Sequence, residues 1–404
     1  MHTFRRPVLI LVTVVTLLFT SALMATDWKH HPGMFNPSGV PSLPFSQPRF
    51  ADMDADGDQD MILGTTSSAP VYITNTGSAS SPEFTIIEDM FSSVSSTDAE
   101  MAVAYDIDAD GDLDLITGGF TGLHLYENTG NAVAASFTKI DNYFSGITTT
   151  SNPVVDMGDI DNDGDLDLVL GFSEDGHVKV YTNSGSDTLG IFLESSAVTL
   201  GDLGLFAYPV FCDPDSDGDL DILCGRDGTT LVYYQNNGSA DNADWSINAS
   251  TFNGIASSTY FNSPGIVDIN GDGKQDLIYG NYNGPLTYYR NSGTSTSPSW
   301  SQNSSLFGGV IDIGGASTPF FYDYDGDGDM DLYTGSNLGD IKMLRNTGTR
   351  NVATFQEDKS FSKLKHSLYS FVSIAQTDGD SYPDALIGDF NGTVYYHVGT
   401  PTGF

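Results

Sequence analysis

The sequence predicts an all-β protein: a seven-bladed β-propeller of four-stranded blades, its ring closed by an N-terminal strand pairing into the last blade. Three observations predict it. A nine-residue acidic loop, fullest as Asp159-Ile160-Asp161-Asn162-Asp163-Gly164-Asp165-Leu166-Asp167, occurs seven times. The copies start at Asp52, Asp106, Asp159, Asp213, Asp268, Asp323 and Gln376, spaced 54, 53, 54, 55, 55 and 53 residues apart. A fixed period of that size marks a repeat architecture. Each period also holds four short apolar runs separated by turn residues, which read as strands.

The third unit shows the order. Pro153-Val154-Val155 enters the loop, and Leu166, Leu168, Val169 and Leu170 leave it as a second strand. A Glu174-Asp175-Gly176 turn leads to an alternating third strand, Val178-Lys179-Val180-Tyr181, closed by Asn183-Ser184-Gly185. A fourth strand is expected around Ile191-Phe192-Leu193-Glu194. The third strand recurs as Val71-Tyr72-Ile73, Leu123 to Tyr126, Leu231 to Tyr234, Leu286 to Tyr289, Ile341 to Leu344 and Val394 to Tyr396, and the Asn-x-Gly turn at Asn75, Asn128, Asn236, Asn291 and Asn346. Residues 26–404 amount to seven such periods, which favours a closed ring over a solenoid needing polar caps. The chain runs out just after a third strand, so a strand around Gly33-Met34-Phe35 is expected to complete the last blade and remove its free edge.

The acidity has a local cause. Net charge is −38, and the seven loops hold 31 of the 53 acidic residues with a single basic residue, Lys274. Like charges packed this closely need cations beside them. Nucleic acid is an unsuitable partner for such a surface.

Alternate carboxylates at loop positions 1, 3 and 5 converge when the chain curls, and Gly at position 6 permits the turn. Position 7 then offers its backbone carbonyl and the Asp at position 9 closes an all-oxygen site, the set that calcium prefers. The expected metal residues are Asp52, Asp54, Asp56, Asp58 and Asp60; Asp106, Asp108, Asp110, Asp112 and Asp114; Asp159, Asp161, Asp163, Asp165 and Asp167; and Asp213, Asp215, Asp217, Asp219 and Asp221. The last three loops add Asp268, Asn270, Asp272, Lys274 and Asp276; Asp323, Asp325, Asp327, Asp329 and Asp331; and Gln376, Asp378, Asp380 and Asp384. The position-7 side chain is expected to point outward, because Lys274 and Tyr382 stand where the other copies have Asp. Six Ca2+ sites are expected to be well formed. The seventh, with Gln376 at position 1 and Ser381 in place of Gly, is degraded and expected to bind weakest or not at all. The alternative of hydrated acidic turns without an ion is disfavoured, since dense carboxylates raise one another's pKa. An EF-hand is excluded: strands flank the loops, and position 12 is Leu63, Thr117, Leu170, Cys224, Tyr279, Thr334 or Ile387, never Glu.

Loops of this form followed by apolar residues and Gly, as in Asp114-Leu115-Ile116-Thr117-Gly118 and Asp384-Ala385-Leu386-Ile387-Gly388, resemble the FG-GAP/VCBS repeat family, which includes the calcium-binding blades of integrin α-subunit propellers. The resemblance spans nearly all of residues 26–404 and implies a seven-bladed propeller with calcium in its hairpin loops. For role it implies a choice among adhesion receptors, sugar-binding lectins and domains appended to enzymes. Length and sevenfold form are also similar to a fungal N-acetylglucosamine-binding propeller lectin.

Residues 1–25 read as a secretory signal, with Arg5 and Arg6 before an apolar run and Ala22 or Ala25 as cleavage points; an uncleaved membrane anchor is the alternative. Secretion to an extracellular setting follows from either. Cys212 and Cys224 flank the fourth loop, and the residue pairs at equivalent places (Ala51/Leu63, Tyr105/Thr117, Gly158/Leu170) suggest cross-strand neighbours. A disulfide or two buried thiols both fit.

The chain shows no G-x-S-x-G elbow, H-E-x-x-H, P-loop or dinucleotide fingerprint, so no enzyme is expected. Aromatics with Asn or Glu recur after the second strand, at Phe120-Thr121-Gly122, Phe172-Ser173-Glu174, Tyr282-Asn283-Gly284 and Phe390-Asn391-Gly392. They suit sugar stacking, although for any one of them a turn residue with its aromatic packed between blades is the favoured reading. The sequence thus supports a monomeric, calcium-stabilised recognition module for a glycan or an extracellular protein. A structural propeller within an adhesion or matrix assembly, or a polysaccharide-acting enzyme, is the alternative.

Overall fold

A computed structural model describes residues 26–401, apart from 31–46, 92–100, 256–262, 308–317, 362–370 and the tips of several shorter loops; 1–25 and 402–404 also lie outside. Seven four-stranded antiparallel sheets form a ring, a seven-bladed β-propeller. The first blade is β2 (Gln47–Ala51), β3 (Asp60–Gly64), β4 (Val71–Asn75) and β5 (Phe84–Ile87). The second is β6 (Met101–Tyr105), β7 (Asp114–Gly119), β8 (Gly122–Asn128) and β9 (Phe137–Ile140), and the third β10 (Pro153–Gly158), β11 (Asp167–Phe172), β12 (His177–Tyr181) and β13 (Val198–Asp202). The fourth is β14 (Tyr208–Cys212), β15 (Asp221–Gly225), β16 (Val232–Asn236) and β17 (Trp245–Ile247), and the fifth β18 (Ser263–Val267), β19 (Asp276–Gly280), β20 (Thr287–Asn291) and β21 (Trp300–Gln302). The sixth is β22 (Thr318–Tyr322), β23 (Asp331–Gly335), β24 (Ile341–Asn346) and β25 (Phe355–Glu357). The last joins β26 (Phe371–Ala375), β27 (Asp384–Gly388) and β28 (Val394–Pro401) to β1 (Thr26–His30).

The ring closes as the sequence predicts, but with an earlier strand. β1 pairs antiparallel with β28, Thr26 opposite Pro401 and His30 opposite His397. The expected Gly33-Met34-Phe35 segment lies outside the described residues.

The second strand of each blade is buried on both faces, so its side chains alternate between neighbouring blades. Leu168 and Leu170 pack toward the second blade, while Val169 packs toward the fourth. Seven hydrophobic clusters result, one at each junction, including Met61 and Ile73 against Leu386 and Tyr396 where the ring closes. Aromatics from the connection after the fourth strand wedge these junctions: Phe91 meets Tyr126 and Phe137, and Phe252 stacks on Trp300 at 4.9 Å.

First strands of neighbouring blades touch one another, as β10 does β14 and β18 does β22, so they line the axis. Each pairs on one side only. Pro48, Pro209, Pro264 and Pro319 sit there at one register, opposite Leu63, Cys224, Tyr279 and Thr334. A residue without an N–H suits a strand whose outer edge has no partner.

Two expectations are corrected. In the third blade the fourth strand is β13, not Ile191 to Glu194. Phe192 is drawn inward against Tyr143 and Phe144 at the junction with the second blade, which diverts the apolar run from the sheet edge. The cysteines are not neighbours: Cys212 lies opposite Asp221 and Cys224 opposite Pro209. They also face opposite junctions, Cys212 packing toward the fifth blade and Cys224 toward the third, and both thiols are free.

Candidate metal centres

Each acidic loop is the hairpin between a blade's first and second strands. Because the strands are antiparallel, the Asn-x-Gly turn between third and fourth strands lies at the same end of the blade, and the connection between second and third strands at the other. Gly at position 6 adopts a left-handed φ in six loops, from 82° at Gly273 to 102° at Gly111. Position 4 is also left-handed, at Asn162, Ser216, Gly271 and Gly379, a demand that sequence reasoning missed although the residue types there reflect it.

Backbone N–H groups hold the loop in shape before any ion enters. Asp52 at position 1 accepts from the N–H of Asp56 at 3.1 Å and Gly57 at 3.0 Å, and Asp213, Asp268 and Asp323 repeat this. At position 5, Asp56, Asp110, Asp163, Asp217, Asp272 and Asp327 each accept from the N–H of position 7.

Position 9 does more than close the site. Asp60 Oδ1 accepts from Asn75 N–H at 2.7 Å, while Oδ2 accepts from Met53 N–H and the Tyr72 hydroxyl. Asp114, Asp167, Asp221, Asp276 and Asp331 likewise accept from the N–H of Asn128, Asn183, Asn236, Asn291 and Asn346, at 2.7–2.8 Å. Each of these Asn side chains then accepts two N–H groups of its own turn, as Asn183 Oδ1 does from Gly185 and Ile191. The sequence showed both residue types but not that a carboxylate bolts them together. Burial pushes the carboxyls of Asp60, Asp167 and Asp221 up to about 7 and that of Asp114 to about 6, against the lowering pull of these hydrogen bonds.

Position 3 behaves differently. Oδ1 of Asp54, Asp161, Asp215 and Asn270 is buried with no hydrogen-bond partner among the described residues. Asp54 is only 2% exposed and Asp215 3%. Burial, then the charges of Asp56 and Asp52 among others, raises the Asp54 carboxyl, and Asp215 is raised by burial and then Asp217. Carboxylate oxygens of Asp52, Asp54 and Asp56 lie within 4.8 Å of one another, as do those of Asp106, Asp108 and Asp114, of Asp159, Asp161 and Asp167, and of Asp213, Asp215 and Asp221. A desolvated position-3 oxygen without a donor, set among further carboxylates of its own loop, fits a hard cation. A bound divalent ion would supply the charge that keeps these carboxylates ionised and the hairpin closed.

The remaining loops vary. Asn270 turns its Nδ2 to Asp276 and leaves its Oδ1 free. Asp325 lies outside the described residues, so the sixth loop shows only its other members. In the seventh loop the Gln376 amide fills the interior: Oε1 accepts from Asp378 and Gly379 N–H, while Nε2 donates to the Asp380 and Tyr382 carbonyls. At position 7, Asp165 and Asp329 are buried, Asp329 beside Asp268 and Gly271 of the preceding loop, so these side chains do not stand out into solvent. Lys274 folds back, its ammonium 3.4 Å from Asp272. Of the aromatic connections at the opposite end, Tyr282, Phe120 and Phe390 lie outside the described residues, and Phe172 is buried at a junction.

Among the described residues no helix is long and apolar enough to cross a membrane. No curated protein matches the sequence. A solved structure of an Agrocybe aegerita lectin, described for specific recognition of non-reducing terminal N-acetylglucosamine, is similar with a TM-score of 0.52 at 17% identity, covering 91% of this chain and 87% of that one. A chain from the BBS1N–ARL6DN complex covers 94% of this chain and 98% of its own, at 12% identity and a TM-score of 0.48. The FG-GAP-like repeat model matches residues 106–170, 159–224 and 268–334, each running from one acidic loop into the next strand or blade. The chain thus carries FG-GAP-like repeats within a seven-bladed β-propeller.

Proposed function

We propose that the chain is a secreted, calcium-binding propeller that acts as a non-enzymatic recognition module for a glycan or an extracellular protein. One observation carries the calcium reading: the buried Oδ1 atoms of Asp54, Asp161 and Asp215 at position 3 have no donor, beside other carboxylates of the same loops. An anionic oxygen in that state is costly unless a cation meets it. An all-oxygen ligand set without His or Cys selects calcium over zinc, and the flexible loop suits calcium better than the strict octahedron of magnesium.

The ion's role is structural in this reading. Each calcium pins one hairpin, and the Asp at position 9 passes that order to the third strand. The recognition surface is assigned to the opposite end, whose connections carry the repeated aromatics. Support for a glycan as ligand comes from the lectin of like fold and from the stacking chemistry of those aromatics. A glycan array, run in calcium and again in EDTA, tests this reading. Binding of one sugar class in calcium supports it; a blank array with folded protein moves the ligand to the protein class.

A further inference from the structure

Loops 4 and 5, starting at Asp213 and Asp268, touch directly. The Gln275 side chain, at position 8 of loop 5, accepts the backbone N–H of Asp213 at 3.0 Å. Asp213 is the first carboxylate of loop 4. The next residue is held from the same side: Asn291 Nδ2 donates to the Pro214 carbonyl at 3.2 Å, while Asn291 N–H is fixed by Asp276 of loop 5. Two groups anchored to loop 5 thus set the first two residues of loop 4.

Position 8 generally occupies this place. Leu220 of loop 4 packs on Gly158, just before loop 3, so tightly that a Cβ on Gly158 would lie 2.7 Å from its Cδ1. Elsewhere the residue is Leu113, Leu166, Leu220 or Met330, groups that can only fill space, with Gln59 in loop 1 and Pro383 in loop 7. In loop 5 it is an amide, which additionally binds a polar atom of the neighbouring site. Loop 4 needs that help: Asp213 must place its carboxylate beside Asp215, whose Oδ1 is buried without a partner.

We propose that Gln275 is a positioning residue that couples the metal sites of loops 4 and 5. When loop 5 closes around its ion, Gln275 and Asn291 are fixed in place and pre-form the start of loop 4, so occupancy of one site favours the other. Reciprocity follows from linkage. The proposal rests on the reading that the loops bind calcium.

Hydrogen-exchange mass spectrometry of the metal-stripped chain over a series of free calcium concentrations tests it, following peptides that cover 213–221, 268–276 and, as control, 159–167. Gln275→Leu installs the residue other loops use and keeps the packing. It should raise the calcium midpoint of the loop-4 peptide about fivefold, the worth of one hydrogen bond, and leave the 159–167 midpoint unchanged. Gln275→Met serves the same comparison if the leucine variant fails to fold. Asp268→Asn, which weakens loop 5, should raise the loop-4 midpoint more in the wild-type background than in Gln275→Leu, where only the Asn291 contact to Pro214 remains. A loop-4 midpoint unmoved by Gln275→Leu, or moved equally by Asp268→Asn in both backgrounds, overturns the coupling alone. If no wild-type loop gains protection with calcium, the calcium reading itself fails and the coupling with it.

Discussion

Asn183 donates its backbone N–H to the Asp167 carboxylate at 2.7 Å, tying the end of a third strand to the end of an acidic loop. The other carboxylate oxygen accepts from Ile160 N–H at 2.8 Å, inside the same loop. One fully buried side chain therefore joins loop, second strand and third strand whether or not an ion is bound.

The first prediction separates this bolt from the ligands. Asp167→Ala leaves two buried N–H groups unpaired and should cost about 2–4 kcal/mol even in EDTA, with a further loss in calcium because the same side chain lies in the metal cluster. Asp161→Ala removes an oxygen that has no protein donor, so its cost should appear in calcium and largely vanish in EDTA. Chemical denaturation of both variants in both conditions checks the contrast. A cost of Asp167→Ala that vanishes in EDTA, as that of Asp161→Ala should, would contradict it.

A second prediction concerns pH. In the metal-free chain burial pushes the carboxyls of Asp60, Asp167, Asp221 and Asp384 up to about 7, above the ordinary aspartate value of 3.8. Groups raised on folding take up protons, so their contribution is fully present below about 3.8 and is lost as pH rises through about 7. The melting temperature in EDTA should therefore rise as pH falls from about 8 to about 5. In saturating calcium it should fall over the same range, because protons compete with the ion. Parallel profiles would contradict the assignment.

Both cysteines should behave as buried thiols. Burial raises their pKa values, so maleimide should label neither until the chain unfolds. Reducing agent should leave the melting temperature unchanged; a drop would show that a disulfide had formed.

The aromatic wedges should be the costliest core positions. Phe252 is buried between Tyr233 and Trp300, and Phe252→Ala should destabilise by about 3–5 kcal/mol in the presence of calcium. Equilibrium unfolding measures it.

Blade number, third strands and ring closure were legible in the sequence, because the period and the glycines of the loops are properties of the chain itself. Gly57, Gly111, Gly164, Gly218 and Gly328 all carry the left-handed φ that the curl requires. What was not legible depends on contacts between blades. Ile191 to Glu194 has the pattern of a strand, yet Phe192 gains more by filling the junction beside Tyr143 than by edging a sheet. The cysteine pairing failed on register: Cys212 stands one residue before the loop and Cys224 three residues past it, so they are not opposite, and Cys224 faces Pro209. Variation to Lys274 and Tyr382 said that position 7 is not bound to be a carboxylate ligand, but not that Asp329 would be covered beside Asp268 and Gly271 of the preceding loop. The double duty of the position-9 Asp was missed although its partners, such as Tyr72 and Asn75, recur at fixed offsets.

Calorimetric titration of the metal-stripped chain with calcium, followed by melting of the loaded and stripped forms, tests the central claim most directly. The predicted result is uptake of about six ions, the Gln376 loop filling last or not at all, with a large rise in melting temperature. No heat of calcium binding, or an unchanged melting temperature after loading, would contradict it.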